Sequence, residues 1–211
     1  CEKFEFPNRI EHENRVNNID TPVSETKYIE TKSNVQTGYM MFGWLGPRAA
    51  ELKDSICLDL ISIIFGDGSS SRLQQNLIEK LPEQIFNMIG SEHYQFKDGN
   101  NFFIQANFKP EYKEKALELV KQELENLLTN RITEEELAKA KKRTKSRFAY
   151  AAETVSEIGE TIGYYVTVCD DLKLIEDYLA DLDSITVDDL ENAIKKYLSL
   201  NNSVISVLMP E

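Results

Sequence analysis

The apolar pattern of this sequence changes at Pro110 from the two-residue period of β-strands to the 3.6-residue period of α-helices. Before that point, alternate positions of residues 101–108 are apolar: Phe102, Ile104, Ala106 and Phe108. Beyond it, apolar residues recur at three- and four-residue steps: Ala116, Leu117, Val120, Leu124, Leu127 and Leu128. Strands and helices that do not alternate regularly argue against a doubly wound parallel sheet. The pattern favours an α+β fold, in which helices pack on one face of a mainly antiparallel sheet.

The remaining segments fit this fold class. Residues 26–45 predict extended chain, and apolar residues on both sides from Tyr39 onward indicate a strand that is covered on both faces. The other predicted elements are helices over 50–65 and 70–81, a hairpin of 85–96 with 101–108, helices near 155–168 and 170–180, and a strand over 203–208.

Three sites in the sequence carry start or stop signals for helices. Thr133 with Glu136, and Thr186 with Asp189, have the spacing of an N-terminal cap, in which a side chain binds the free N–H groups of the first turn. Gly66-Asp67-Gly68 predicts the end of the preceding helix, because glycine adopts the positive φ that often closes one.

The domain organisation is predicted from the polar amino-terminal part. Residues 1–25 carry Pro7 and Pro22 and show no sustained period, so we interpret them as a linker or arm from an upstream domain. Residues 26–211 are expected to form a single domain. Because the chain starts at Cys1 rather than Met, we expect it to be a piece of a longer protein. A lipid-modified amino-terminal cysteine is the alternative.

Charge excludes two classes of partner. The chain has 24 Lys and Arg against 36 Asp and Glu, a formal net charge of −12. Nucleic acids and anionic membrane surfaces both require clustered cations, so neither is expected as a partner. No membrane span is expected either, because the longest apolar run, Ile56–Phe65, is short and is interrupted by Asp59. The acidic surface suits basic or unfolded peptides, but it equally suits solubility alone.

Neither a metal site nor a catalytic group is predicted. The only histidines, His12 and His93, lack partners at ligand spacing, so both are expected to be solvated or hydrogen-bonded. Cys1, Cys57 and Cys169 are too few and too widely spaced for a disulfide framework, which favours a reducing compartment. Cys57 lies in an apolar run and is expected to be a small core residue.

The Gly/Ser-rich stretch Gly66–Ser71 allows two interpretations. A loop of this composition before a helix can bind an anion through free N–H groups. It lacks the lysine of a phosphate loop and does not follow a strand, so we favour a helix stop followed by serine N-capping of the next helix. Arg72, at the start of that helix, is expected to be a structural residue.

Four segments together resemble one known family: GYMMFGWLGP, CLDLISIIFGDGSSSRLQQNLIEK, residues 98–148 and residues 179–210. They are similar to the second, non-catalytic half of subunits of the zinc metallopeptidase family of pitrilysin, insulin-degrading enzyme and mitochondrial processing peptidase. Two blocks are the most specific. One is Gly-x-Gly-x-Ser-Ser-Arg-Leu, whose fixed positions are Gly66, Gly68, Ser70, Ser71, Arg72 and Leu73. The other runs from Thr133 to Lys141.

The resemblance implies a two-domain subunit about twice as long, whose upstream half carries zinc on an inverted H-x-x-E-H motif. This chain lacks that motif. The expected role is therefore to help enclose and position a peptide for the upstream catalytic domain, and to dock a homo- or heterodimer partner. A non-enzymatic scaffold of the same fold is the alternative.

The family's second half often carries an Arg and a Tyr that hold the bound peptide. These positions fall on Ile78 and on Ile85, or on Phe86 if the register shifts. None of the three is an Arg or a Tyr, so no substrate-binding residue is assigned from the resemblance.

Overall fold

The computed structural model describes residues 23–48, 51–96, 99–169 and 171–211. Five strands form one sheet: β1 (Lys27–Ser33), β2 (Gly38–Leu45), β3 (Phe86–Tyr94), β4 (Asn101–Phe108) and β5 (Val204–Pro210). Seven α-helices are described: α1 (Leu52–Gly66), α2 (Arg72–Gln74), α3 (Lys113–Thr129), α4 (Glu134–Tyr150), α5 (Val155–Tyr164), α6 (Lys173–Ser184) and α7 (Val187–Tyr197). Helix α2 continues as a π-helix over Gln75–Glu79, and α5 over Tyr165–Cys169. Short 3₁₀ turns lie at Pro110–Tyr112 and Leu200–Asn202.

The sheet has the strand order β1-β5-β2-β4-β3 and is mixed. Strands β2, β3, β4 and β5 pair with antiparallel neighbours, but β1 runs parallel to β5 at one edge. The prediction of a mainly antiparallel sheet is therefore replaced by a mixed sheet. The sheet is mixed because β5 inserts between β1 and β2 and runs parallel to β1. The periodicity of apolar residues does not reveal which strands become neighbours.

Helices cover one face of this sheet, and the other face is open. In β2, Met40, Phe42 and Trp44 are buried, whereas Tyr39 and Met41 are 44% and 43% exposed. The prediction that this strand is covered on both sides is wrong. The apolar side chains at Tyr39 and Met41 belong to a surface rather than to a second core.

Helix α1 is the centre of the core. Its residues from Ser55 to Gly66 are nearly all buried, because the helix lies between β3 on one side and α4, α6 and α7 on the others. Cys57 is buried within it, as predicted, and burial raises the pKa of its thiol to about 12. The thiol therefore stays protonated and acts as a small apolar side chain.

The other predicted elements are placed as follows. The hairpin is confirmed as β3 and β4, although turn residues 97 and 98 lie outside the described residues. The helical stripe after Pro110 is α3, and both capping boxes are formed, at Thr133 and at Thr186. Residues 1–22 of the predicted linker also lie outside the described ranges. Among the helices that are described, none combines the length and apolar composition needed to cross a membrane.

Candidate functional site

The two glycines of the first family block are required by close packing and by backbone conformation. Gly66 ends α1 against β3, where an added Cβ would collide with the backbone of Gly90 and Ser91. Gly68 has φ of 91°, the left-handed conformation predicted for this stop. These glycines let the chain leave α1 directly beside the sheet.

The serines of the block act differently from the prediction. Ser71 occupies the N-cap position of α2, but its hydroxyl does not cap the helix. It donates instead to the carbonyl of Gly68 at 2.7 Å, which fixes the turn. Ser70 is exposed on the same turn. The prediction that a serine hydroxyl caps α2 is therefore wrong, because the Ser71 hydroxyl bonds back to Gly68. The turn itself lies where it was predicted.

Arg72 joins the two family blocks, which are far apart in sequence. Its Nε and Nη2 atoms donate to the two carboxylate oxygens of Glu136 at 2.7 and 2.9 Å. Two further bonds reach the carbonyls of Asn130 and Arg131 at 3.1 and 3.2 Å. Because Glu136 also accepts from the backbone N–H of Thr133, the same carboxylate closes the capping box of α4. These contacts support a structural role for Arg72.

This arrangement changes the acidity of Glu136. Partial burial raises its pKa, but the hydrogen bonds from Arg72 and Thr133 outweigh burial and hold it at about 2, below the ordinary 4.5. A carboxylate whose pKa is lowered by folding stabilises the fold above its unfolded pKa. That stabilisation is lost as the pH falls through the interval from about 4.5 to about 2.

We therefore expect Glu136→Gln to lower the free energy of unfolding at pH 7 by roughly 1–2 kcal/mol, a value reduced for the partial exposure of the pair. The deficit relative to the wild type should shrink as the pH falls toward 2. Urea unfolding at a series of pH values measures this. Glu135→Gln, on the exposed side of the same turn, is the matched control, for which a much smaller change is expected. An equal, pH-independent loss in both variants would contradict this account.

A second ionic contact joins the end of α1 to α4. Asp67 accepts from Arg143 Nη2 at 2.7 Å and also from Arg147 Nη2. Arg143 additionally donates to the Asp67 carbonyl at 2.7 Å. Two basic residues of α4, Arg143 and Arg147, thus fix the loop after α1.

The positions on which the family resemblance places the peptide-holding Arg and Tyr are part of the core. Ile85 and Phe86 are buried, and Ile78 packs against the same core. None of these apolar side chains can donate a hydrogen bond to a peptide. The chain therefore has no equivalent of that pair at these positions.

The described residues do not form a zinc site. In that part of the chain, no three His, Cys, Asp or Glu side chains are grouped closely enough to hold a metal ion. His93 is hydrogen-bonded, one of the two outcomes that were predicted: its Nδ1 lies 2.7 Å from Oδ1 of Asp59. His12 lies outside the described residues. The His, Cys, Asp and Glu side chains of the described residues are therefore not arranged as ligands of a zinc ion.

The open face of the sheet is an apolar surface that a ligand could contact. Tyr39 and Met41 of β2 and Met88 of β3 are exposed there, on either side of β4. A shallow depression there is lined by side chains of β2, β3, β4 and β5, among them Gln105 and Leu208. The surface offers apolar contacts with a few polar groups, as many ligand surfaces do.

The described part of the chain is a helix-backed α+β domain in which a partly buried ion pair, Arg72 with Glu136, joins the two family blocks. The family model described as the peptidase M16 inactive domain matches residues 2–144, so the chain belongs to that family.

Known relatives and structures agree with this assignment. The zinc protease PqqE of Helicobacter pylori is 30% identical over 182 residues, which cover 85% of this chain and 40% of that protein. The crystal structure of a protease from H. pylori superimposes with a TM-score of 0.79 at 26% identity, over 90% of this chain and 46% of the other. The M16 inactive domain from Pseudomonas fluorescens gives a TM-score of 0.76 at 22% identity, over 89% and 44%. The chain thus spans less than half the length of these proteins.

Proposed function

We propose that this inactive domain helps to enclose and position a peptide for a zinc-carrying catalytic domain of a longer protein. The observation that carries the proposal is the open sheet face. Helices cover one face of the sheet, whereas the other exposes Tyr39, Met41 and Met88. Exposed apolar side chains that are grouped on a surface are typical of binding faces. A peptide on this face would be held by contacts with side chains, and the chemistry would be supplied by the other domain.

Docking of the domains would use a second surface. Helix α5 exposes Val155, Ile158 and Ile162, and Val155 is 89% exposed. Ile158 and Ile162, together with Leu179 of α6, border an apolar groove between α4, α5 and α6. The relatives are more than twice as long as this chain, so we take the occupant of this groove to be the other half of the same protein.

The experiment compares the 211-residue chain with the longer protein in a fluorogenic peptide assay with added zinc. We expect no zinc-dependent turnover by the chain alone and turnover by the longer protein. In the longer protein, Met41→Asp should lower kcat/KM about tenfold, since it replaces an apolar contact with a charge, a change of about 1.4 kcal/mol. Gln122→Asp is the matched control, because it adds the same charge to the exposed surface of α3.

Each alternative has its own result. Zinc-dependent turnover by the chain alone would overturn its assignment as a non-catalytic partner. A longer protein that assembles but cleaves no peptide would favour the scaffold alternative, which the apolar residues at Ile78, Ile85 and Phe86 also support. Equal activity of the Met41 and Gln122 variants would remove the open face from the proposal.

A further inference from the structure

A cavity of about 490 Å³ lies on the helix-covered side of the sheet, apart from the open face. It is enclosed by α1, β3, α4 and α6, near the edge of the sheet that β3 forms. Its volume falls in the range of small-molecule sites.

The deepest polar group of the cavity is the imidazole of His93, whose side chain is only 1% exposed. The Asp59 carboxylate can only accept, so Nδ1 carries the proton of the bond between them, and Nε2 keeps a lone pair when the ring is uncharged. Asp59 also accepts from Gln95 at 2.8 Å and Tyr178 at 2.7 Å, which fixes the orientation of the ring. His93 Nε2 is buried and has no hydrogen-bond partner among the described residues. A buried acceptor without a partner is rare and requires one.

Arg147 brings positive charge to the same cavity. Asp67 is bound by two guanidinium groups, those of Arg143 and Arg147, so this cluster carries one net positive charge. The Asp59 carboxylate also lines the cavity, so the cavity as a whole holds charges of both signs. Only Nη2 of Arg147 donates within the described structure, to Asp67. Glu92 also borders the cavity, and its carboxylate accepts from Gln105 at 2.9 Å.

The walls between these polar groups are apolar. The rings of Phe148 and Tyr178 lie with their centroids 5.0 Å apart, and Ile63 lines the same space. The cavity therefore combines a guanidinium group, carboxylates that are already hydrogen-bonded, a buried imidazole nitrogen and an aromatic wall.

We propose that this cavity binds the C-terminal residue of a peptide. The carboxylate would bind Arg147, the N–H of the same residue would donate to His93 Nε2, and the side chain would pack on Phe148 and Tyr178. In the last residue of a peptide, the carboxylate, the N–H and the side chain are all attached to one Cα atom. A simple carboxylic acid lacks the N–H donor. The inference rests on the proposed function only in taking the ligand to be a peptide.

The test uses the chain's two histidines, which give two imidazole signals in a ¹⁵N-histidine NMR spectrum. His12→Gln assigns the signal of His93 by removing the other. The probes are N-acetylphenylalanine, its amide, which lacks the carboxylate, and 3-phenylpropionate, which lacks the N–H. We expect N-acetylphenylalanine to shift the Nε2 signal of His93 saturably. Each of the other two probes should bind at least tenfold more weakly, since each lacks one of the polar contacts.

The variant that tests the cation is Arg147→Gln, which should weaken binding of N-acetylphenylalanine about tenfold or more. Arg131→Gln is the matched control, because Arg131 pairs with Asp188 on the surface away from the cavity.

Equal binding of 3-phenylpropionate would assign the site to free carboxylic acids and overturn the proposal that it binds a peptide terminus. Equal binding of the amide, or no shift of the His93 signal, would overturn the site altogether. Failure of the proposed function would appear only in turnover by the longer protein, so the two failures are distinguishable.

Discussion

Gly66→Ala is expected to lower the free energy of unfolding by about 3 kcal/mol, as overpacking against rigid backbone does. The added Cβ would overlap the backbone of Gly90 and Ser91 in β3. Neither side can give way easily, because α1 is enclosed by the sheet and by three helices, and β3 is held by β4. Urea unfolding followed by circular dichroism measures the effect.

The control for Gly66→Ala is the same substitution at a glycine with open space. Gly159 lies inside α5, and a Cβ there meets nothing within 4 Å. Gly159→Ala should therefore stabilise the chain, by up to about 1 kcal/mol, because alanine favours helix more than glycine does. If both variants changed stability in the same direction, close packing at Gly66 would not be the reason for glycine in the family block.

Asp59→Ala is expected to destabilise the chain by roughly 3 kcal/mol. The substitution leaves three donors without their acceptor: His93, Gln95 and Tyr178. The loss of one member of a largely buried polar network costs more than the network contributes, because the remaining groups stay desolvated. The same urea experiment applies.

The matched control for Asp59→Ala is Asp183→Ala. Asp183 also forms an ion pair, with Lys145 at 2.6 Å, but its side chain is 62% exposed. Exposed pairs contribute little to stability, so only a small change is expected. Similar losses in the two variants would show that the network around Asp59 is no stronger than a surface pair.

Local signals predicted most of the elements. The capping boxes at Thr133 and Thr186 and the stop at Gly68 depend on neighbouring residues only, and each forms as predicted. The mixed sheet was missed because the parallel pair joins Lys27 to Val204, a relation between distant segments. The apolar side chains of Tyr39 and Met41 predicted a second covered face, because a surface patch and a core strand have the same composition.

The site was less accessible from the sequence than the fold. Arg72 was recognised as structural, but its partner Glu136 is 64 residues away and was noted only for its cap. His93 was expected to be solvated or hydrogen-bonded, and nothing beside it in sequence indicates Asp59 or a cavity. A carboxylate in the apolar run Ile56–Phe65 was the one available signal, since a charge within a core helix requires a partner.

The position of β5 has a consequence for synthesis of the chain. Among the described strands, β1 pairs with β5 alone, from Lys27 with Val204 to Ser33 with Pro210. A growing polypeptide could pair β2, β3 and β4 early, but β1 would stay unpaired until β5 had left the ribosome. Pairing across such a sequence separation is slow, and it leaves a strand edge open meanwhile. Until β5 is in place, β1 and the adjacent edge of β2 are both open and able to recruit a neighbouring molecule.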